Sequence, residues 1–326
     1  MPPTPHQPDL PQISDFVLTT NTSKHERFLR DPYYREACEE LVAIAGEQAP
    51  QVAARHALLL LKPDATVRGK LTAAIDWLLR RGWRVRASAP LRFNRWTVRG
   101  MWGYQWKSAD RGRRDMADLY MTAADSLLLV LAAPSNAAAD QWACNLLTRS
   151  KGTFDVATCP PGTLRHYLGS LNRQMNLVHT ADEPADLLRE LGVCLEPQTR
   201  REVFTALIEG RDGAAQAQAT ASRLQRDSQP VDLSLAACLE TIRADLEDGS
   251  APEPYRQRLR ALIEQIAIDR SRDWQGVVNL AALAGLHLTN WQIVTLGTWL
   301  LPPTNGETPP TRSAARQGWI HDRHPQ

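Results

Sequence analysis

The chain has 326 residues, 43% of them hydrophobic and 23% charged, with a formal net charge of +2, which fits two domains or one domain with long extensions. Its five cysteines are widely spaced without a CxxC pair, so neither a disulfide framework nor a zinc knuckle is expected. No apolar run approaches a membrane span and the N-terminus has no signal-peptide core, which predicts a soluble cytoplasmic protein.

Residues 1–55 are expected to contain a Pro-rich leader followed by one amphipathic helix. Apolar positions recur at near-helical spacing over 31–48. Asp31 is a good N-cap residue, and Pro32 fits the first turn of a helix. We expect this helix to pack on the domain that follows.

Residues 56–195 alternate short apolar runs with helical patterns. Strands are predicted at 56–61, 83–88, 126–132 and near 174–178, where the last strand ends at His179. Helices are predicted at 71–81, near 97–107, at 111–124, at 137–148 and at 184–192. This order predicts an α/β (α+β) fold with a ferredoxin-like, split βαβ antiparallel sheet and covering helices.

Residues 196–301 are predicted to form an all-α C-terminal domain, followed by a polar tail at 302–326. Helical periodicity covers 200–209, 231–248, 254–268 and 274–301, and the small-residue stretch 213–221 suits either a helix or a linker. The segment from Asn279 to Leu300 scans superficially as a helix-turn-helix. Its second helix has no charged residue, whereas a helix that reads the major groove is polar and basic. A buried helical hairpin or a partner-binding surface is the better interpretation.

Three motifs of the central segment occur in a specific order. The first is Leu61-Lys62-Pro63-Asp64, and the second is Pro161-Gly162-Thr163-Leu164-Arg165. The third is Asn176-Leu177-Val178-His179, with Glu190 eleven residues beyond the histidine. Together these motifs resemble the nucleoside diphosphate kinase family over about residues 56–195. The resemblance says nothing about the flanks on either side.

This resemblance implies a phosphotransferase that works by double displacement. A neutral imidazole is a competent nucleophile near pH 7, and His179 would accept the γ-phosphoryl group of ATP. Glu190 would hold the other ring nitrogen and so fix the tautomer. Mg²⁺ would bridge the nucleotide phosphates and be held mostly by substrate and water, with no protein metal site of its own.

The resemblance also assigns residues to the nucleotide. Lys62 would touch sugar or phosphate, Arg165 the phosphates and Asn176 the ribose. Tyr104 matches the first aromatic of the hairpin that clamps the base. The family's Arg and Thr upstream of the Pro-Gly-Thr loop have nearby substitutes here in Arg149, Lys151 and Thr153.

The sequence departs from the family pattern mainly at the base end of the site. Thr180-Ala181 follows the histidine where the family has a small residue and Ser, so the Ser that supports the glutamate is lost. The segment 111–115 has no aromatic residue to serve as the second base clamp. The pattern predicts retained phosphotransfer chemistry with an altered choice of substrate.

A basic block occupies residues 80–114. It contains ten arginines and Lys107 against Asp110, a net +10 that leaves −8 for the remainder of the chain. Interleaved aromatics allow a stacking surface for single-stranded nucleic acid, but amphipathic helices with a buried Trp side explain them as well. A third interpretation is electrostatic steering of a polyanionic acceptor, more acidic or larger than a nucleoside diphosphate.

The favoured function is therefore transfer of the ATP γ-phosphoryl group, through phospho-His179, to a nucleoside diphosphate or a related acceptor. One alternative is a repurposed kinase with a non-nucleotide acceptor. Another is a nucleotide-binding pseudokinase scaffold that recruits a partner through its helical domain. The resemblance also implies homo-oligomers, although flanks of 55 and 131 residues would obstruct such contacts.

Overall fold

The computed structural model describes residues 16–105, 111–138, 140–248 and 253–301, and its Cα positions divide into two compact units. One unit comprises the described residues of Met1–Tyr104, Ala124–Lys151 and Val178–Ser228. The other comprises those of Gln105–Ala123, Gly152–Leu177 and Gln229–Gln326. Within the described part of the chain, no helix has the length and apolar character needed to cross a bilayer. The predicted leader before residue 16 and the polar tail at 302–326 lie outside the described residues.

The first unit is built on a four-stranded antiparallel sheet. Its strands are β1 (His56–Leu61), β2 (Arg84–Leu91), β3 (Ser126–Ala132) and β4 (Val178–Thr180). Their order across the sheet is β2-β3-β1-β4, and β3 and β1 are almost entirely buried. Continuous runs of leucine at the two central strands explain this burial on both faces, since no polar side chain alternates with them. The fold is the predicted α+β, ferredoxin-like architecture.

Ten helices of the described residues accompany this sheet in the first unit. They are α1 (Thr22–Phe28), α2 (Pro32–Ala45), α3 (Ala49–Arg55), α4 (Pro63–Val67), α5 (Leu71–Arg80), α6 (Arg95–Trp102), α8 (Ala143–Lys151), α10 (Pro184–Cys194), α11 (Pro197–Ile208) and α12 (Ala214–Asp227). The helix α10 packs against α2, and α12 packs against β2 and α5.

The second unit is helical in its described residues. Its helices are α7 (Arg111–Thr122), α9 (Leu164–Leu168), α13 (Leu235–Asp248), α14 (Glu253–Ala267), α15 (Trp274–Leu283) and α16 (Asn290–Leu300). The last four helices enclose a core of aliphatic side chains, which includes Ile242, Ile263 and Leu296. The helix α16 is largely buried and also packs against α7, as expected for a helix without charge.

The structure confirms most of the elements that the sequence predicts. Asp31 caps α2 as expected, because its Oδ1 accepts hydrogen bonds from the backbone amides of Tyr33 and Tyr34 at 3.0 and 3.4 Å. The predicted helix at 274–301 is in fact two helices, separated where Gly285 adopts a φ of 72°. The small-residue stretch at 213–221 belongs to a regular helix, α12.

The structure differs from the predicted elements at three places. The helix predicted at 137–148 begins at Ala143, because Pro134 and a turn precede it. The strand predicted near 174–178 is the shorter β4, which contains His179 within it instead of ending there. The short helix α9 lies between residue 148 and the strand predicted near 174–178, where no helix is predicted. All five cysteines are free thiols.

Candidate functional site

The centre of the candidate site is a pair of side chains from β4 and α10. The Nε2 atom of His179 lies 2.9 Å from Oε1 of Glu190. The glutamate side chain is 8% exposed, and the histidine side chain is 21% exposed. A carboxylate that accepts the Nε2 proton leaves the lone pair of the imidazole on Nδ1. In this arrangement Nδ1 is the ring nitrogen that carries the lone pair.

The local sequence explains why these two side chains meet. His179 is fixed by the antiparallel pairing of β4 with β1, in which it lies opposite Leu60. Pro184 occupies the first turn of α10, and Glu183 and Asp186 form a capping box there. Glu190 follows four residues after Asp186, on the next turn of this helix.

Lys62 lies on the same side of the sheet as His179. It follows β1 directly and keeps an extended backbone, with φ −79° and ψ 170°. Since side chains alternate along a strand, Lys62 shares the face of Leu60, the residue opposite His179. Lys62 is 7% exposed, which is unusual for a lysine. A buried cation therefore lies on the face of the sheet that carries the imidazole.

The aromatic residue against His179 is Trp102, at the end of α6. The two rings are 5.5 Å apart at an interplanar angle of 81°, in an edge-to-face arrangement. Trp102 in turn stacks on Phe93, with ring centroids 6.1 Å apart. These contacts fix one side of the imidazole.

Tyr104, the predicted base-clamp residue, is engaged by the N-terminal flank. Its hydroxyl donates to Oδ2 of Asp31 at 2.8 Å, and its ring stacks on Phe28. The guanidinium groups of Arg27 and Arg189 lie 4.9 and 4.6 Å from its centroid. Its role in nucleotide binding stays a prediction.

Lys151 and Arg149 of α8 occupy other surroundings. The Nζ of Lys151 donates to Oγ1 of Thr180 at 2.6 Å, and the lysine is 8% exposed. Thr180 neighbours His179 in β4, so its side chain points to the opposite face. Arg149 is exposed to solvent. The structure thus directs Lys151 to the face of the sheet opposite the imidazole.

Thr153, Arg165 and Asn176 belong to the second unit. Arg165 is buried and donates to the backbone oxygen of Gly152 at 3.2 Å. Thr153 bonds to the backbone of Asp155, and the Nδ2 of Asn176 donates to the backbone oxygen of Arg173 at 2.8 Å. These bonds hold the loop that carries the three predicted nucleotide ligands.

Leu177, between Asn176 and β4, has a backbone conformation that leucine rarely adopts. Its φ is 69°, in the left-handed region, and its side chain is fully buried. Backbone strain of this kind costs about 1–3 kcal/mol and concentrates at functional sites. Leu177 lies two residues before His179, so this strained position directly precedes β4.

The N-terminal flank is attached to the first turn of α10. Lys24 forms ion pairs with Glu183 at 2.6 Å and with Asp186 at 2.7 Å. Burial acts to raise the pKa of Glu183, but hydrogen bonds from Lys24, Thr19 and Thr20 outweigh it and hold the pKa at about 2. Burial raises the pKa of Asp186 to about 6, against the opposing effect of Lys24.

Two other features contrast with the site around His179. His56 at the start of β1 is buried, which lowers its pKa to about 4, and its Nδ1 contacts the backbone oxygen of Val52 at 2.7 Å. It is thus a structural histidine.

A cavity of about 240 Å³ lies on α11, away from the predicted site residues, and is lined by Gln198, Arg201, Glu202, Thr205 and Arg211.

Comparison with known proteins gives one consistent family. The family model for nucleoside diphosphate kinase matches residues 55–199. A nucleoside diphosphate kinase of Staphylothermus marinus is 29% identical over 138 residues, 42% of this chain and 89% of that protein. One of Ignicoccus hospitalis is 26% identical over 137 residues, 41% of this chain and 84% of that protein. Residues 55–199 are thus similar to nucleoside diphosphate kinases, and we refer to this segment as the kinase-like domain.

Solved structures similar to this kinase-like domain include the nucleoside diphosphate kinase of Aquifex aeolicus. That structure has a TM-score of 0.36 and 19% identity, and the match covers 43% of this chain and 93% of that one. A nucleoside diphosphate kinase family protein from Babesia bovis has a TM-score of 0.37 and 17% identity, and the match covers 44% and 90%.

Sequence reasoning missed two residues of the site and gave a third only a local role. Trp102 is one of the interleaved aromatics of the basic block, and its sequence context gives it no role beside His179. Arg189 belongs to none of the three motifs, although its position directly before Glu190 is a signal in the sequence that it lies near the site. Asp31 was identified as a helix cap, but its second carboxylate oxygen binds Arg189 and Tyr104, and no local pattern predicts that.

Proposed function

We propose that this chain is a phosphotransferase that moves the γ-phosphoryl group of ATP to a nucleoside diphosphate or a related acceptor through a phosphohistidine at His179. The observation that carries this proposal is the pair of His179 Nε2 and Glu190 Oε1 at 2.9 Å, which leaves Nδ1 as the nucleophile. The kinase-like domain in which the pair lies supports the same reaction.

The reaction proceeds in two displacements on one imidazole. In the first, the Nδ1 lone pair attacks the γ-phosphorus, the bond from that phosphorus to the β,γ-bridging oxygen breaks, and ADP leaves with the electron pair. The ring becomes positively charged, and Glu190 stabilises this charge through Nε2. In the second, a terminal phosphate oxygen of the acceptor attacks the same phosphorus, the bond from phosphorus to Nδ1 breaks, and its electron pair returns to Nδ1, which restores the neutral ring.

Charge on the transferred phosphoryl group needs fixed cations. Two observations support this role for Lys62: it shares the sheet face of His179, and its side chain is already desolvated. Arg165 and Asn176 would serve the phosphates and the ribose. Mg²⁺ enters as part of the Mg-ATP substrate, held by its phosphates and by water. Among the described residues, no group of three or more His, Cys, Asp or Glu side chains is placed to bind a metal ion.

The acceptor is proposed to be anionic. The segment 80–114 carries an excess of arginine, and such a field raises the local concentration of a polyanionic substrate. A nucleoside diphosphate satisfies this requirement, and so does a larger or more acidic relative of one.

The test is steady-state turnover with ATP and a set of nucleoside diphosphates, with the new triphosphate separated by chromatography. The expected result is triphosphate formation with parallel-line kinetics, the signature of a double displacement, and its loss in His179→Gln. The matched control is His287→Gln, which changes an exposed histidine of the helical unit. Absence of triphosphate with every nucleotide tested would contradict the nucleotide acceptor.

A further inference from the structure

The position of Glu190 depends on its helix more than on its own hydrogen bonds. One carboxylate oxygen contacts His179, while Oε2 is buried and has no hydrogen-bond partner in the described part of the chain. Thr180-Ala181 supplies no serine hydroxyl to this carboxylate. A side chain so weakly held is oriented by whatever fixes the helix beneath it.

Arg189, the preceding residue, fixes α10 to α6. Its guanidinium donates to the backbone oxygen of Gly100 at 2.7 Å and, more weakly, to that of Met101 at 3.4 Å. Both carbonyls belong to the last turn of α6, which ends at Trp102, the ring against His179. Arg189 therefore connects the helix that carries Glu190 to the aromatic that bounds the imidazole.

The charge of Arg189 is balanced from outside the kinase-like domain. Its Nε donates to Oδ2 of Asp31 at 2.7 Å, and both side chains are less than a tenth exposed. The same oxygen accepts the hydroxyl of Tyr104 at 2.8 Å. Asp31 lies in the N-terminal flank, before residue 55, where the family match begins. Removal of one partner from such a buried pair leaves the other charge uncompensated.

A close approach of the backbone supports the same arrangement. A Cβ atom at Gly192 would overlap the backbone carbonyl of Tyr33 in α2. A Cβ atom at Gly100 would lie 2.9 Å from Cγ1 of Val193 in α10. The helix α10 is thus closely packed between the N-terminal flank and α6, with no room for a Cβ atom at either contact.

We infer that Asp31 and Arg189 are positioning residues for the His179–Glu190 pair, so that the N-terminal flank completes the catalytic site of the kinase-like domain. This inference rests on the proposed phosphotransfer for its catalytic consequence. Its structural content is independent, because the carboxylate of Glu190 decides which imidazole nitrogen carries the proton. When α10 shifts, the Nε2 proton loses its acceptor, and the proton can then reside on Nδ1, which removes the lone pair from that nitrogen.

The experiment compares Asp31→Asn and Arg189→Lys with a matched control. Arg189→Lys keeps the charge but loses the planar fork that reaches Asp31 and the carbonyls together. The control is Glu40→Gln, which breaks another ion pair, since the buried Arg200 has its Nε 2.6 Å from Glu40 Oε2. That pair joins α2 to α11, and Arg200 also donates to the backbone oxygen of Gly192 in α10 at 3.3 Å. The control therefore disturbs a contact of α10 but leaves the link from Arg189 to Asp31 and α6 in place.

Two readouts are measured on the full-length protein. The first is the tautomer of the neutral His179 ring by ¹⁵N NMR, without nucleotide. We expect protonation at Nε2 in the wild type and in Glu40→Gln, and a mixture of both tautomers in Asp31→Asn and Arg189→Lys. The second is phosphotransfer, where we expect kcat to fall by about tenfold or more while the KM for ATP stays within about twofold.

The outcomes separate this inference from the proposed function. An unchanged tautomer in folded Arg189→Lys and Asp31→Asn would overturn it, and so would an equal change in Glu40→Gln. Should Asp31→Asn fail to fold, Arg189→Lys decides. A wild-type protein without phosphotransfer contradicts the proposed function alone, because the tautomer measurement needs no turnover.

Discussion

Leu60 of β1 lies directly opposite His179 of β4, and this register sets Lys62 on the same face of the sheet as the imidazole. A diagonal neighbour on adjacent strands is about 7–8 Å away between Cα atoms, within reach of a lysine side chain. The end of β1 therefore places the buried cation of Lys62 on the same face as the imidazole of His179.

The first prediction concerns this lysine. Lys62→Met keeps most of the buried stem but removes the charge that would meet the phosphoryl oxygens. We expect the rate of His179 phosphorylation to fall by about 100-fold. Rapid-quench measurement with labelled ATP gives this rate. The control is Lys70→Met, since Lys70 precedes α5 and is not buried. Equal rates in the two variants would remove Lys62 from the site.

The sequence predicts the fold because local and long-range signals agree in the central segment. The leucine runs of β1 and β3 have no polar alternation, so they can only be buried strands. The resemblance to the kinase family implies the pairing of His179 with Glu190, eleven residues later, and the structure brings the two side chains together.

The remainder of the site depends on contacts that no local pattern records. The resemblance assigns Tyr104 to the hairpin that clamps the base. In the structure its partners are Asp31 and Phe28, more than 70 residues earlier in the chain. Lys151 was a nearby cation in sequence, yet strand alternation places its partner Thr180 on the other face. The predicted domain boundaries and nucleotide ligands stay predictions.

The second prediction concerns pH and the attachment of the N-terminal flank. The folded pKa of Glu183 is about 2, below the ordinary value of 4.5. Its contribution, about 1–3 kcal/mol, is therefore complete above about pH 4.5 and is lost as the pH falls towards 2. The raised pKa of Asp186 acts oppositely, since its folded state binds a proton more readily and its contribution declines as the pH rises from 3.8 to about 6.

Comparison of the wild type with Glu183→Gln isolates the contribution of Glu183. Thermal unfolding at several pH values between about 3 and 7 should show a difference that is largest near neutrality and shrinks in acid. Glu209→Gln, at an exposed glutamate paired with Arg211, should show little difference at any pH. A difference between wild type and Glu183→Gln that does not vary with pH would contradict the ion-paired state of this carboxylate.

The third prediction concerns the packing of α10 on α2. Gly192→Ala places a Cβ atom against the carbonyl of Tyr33, where backbone must move to admit it. We expect a loss of about 1–3 kcal/mol of folding free energy. Chemical denaturation measures it, with Gly210→Ala as a comparison. Gly210 has open space around it but a φ of 64°, so its cost reflects backbone strain alone.

Gly192→Ala should also lower phosphotransfer, because the helix that it displaces carries Glu190. Gly210→Ala, outside this helix, should leave phosphotransfer unaltered at temperatures where both variants are folded. Full activity in folded Gly192→Ala would show that the packing of α2 on α10 has no catalytic consequence.

The fourth prediction concerns the basic block. Arg111, Arg113 and Arg114 occupy the first turn of α7, and Arg111 pairs with Asp115 at 3.3 Å. Reversal of all three to glutamate should raise the KM of the acceptor about tenfold at low salt, and less at high salt. The matched control reverses Arg256, Arg258 and Arg260 of α14, an equal charge change on another helix of the same unit. An unchanged acceptor KM in the α7 variant would exclude steering by this segment.

The most direct measurement of the central claim is the site of phosphorylation. The protein is incubated with Mg-ATP, quenched in alkali and digested, and the phosphopeptide is identified by mass spectrometry. We predict one acid-labile phosphoryl group on His179, absent in His179→Gln and formed about 100-fold more slowly in Glu190→Gln. A folded wild-type protein that acquires no phosphoryl group, or a His179→Gln variant that still acquires it, would contradict the mechanism.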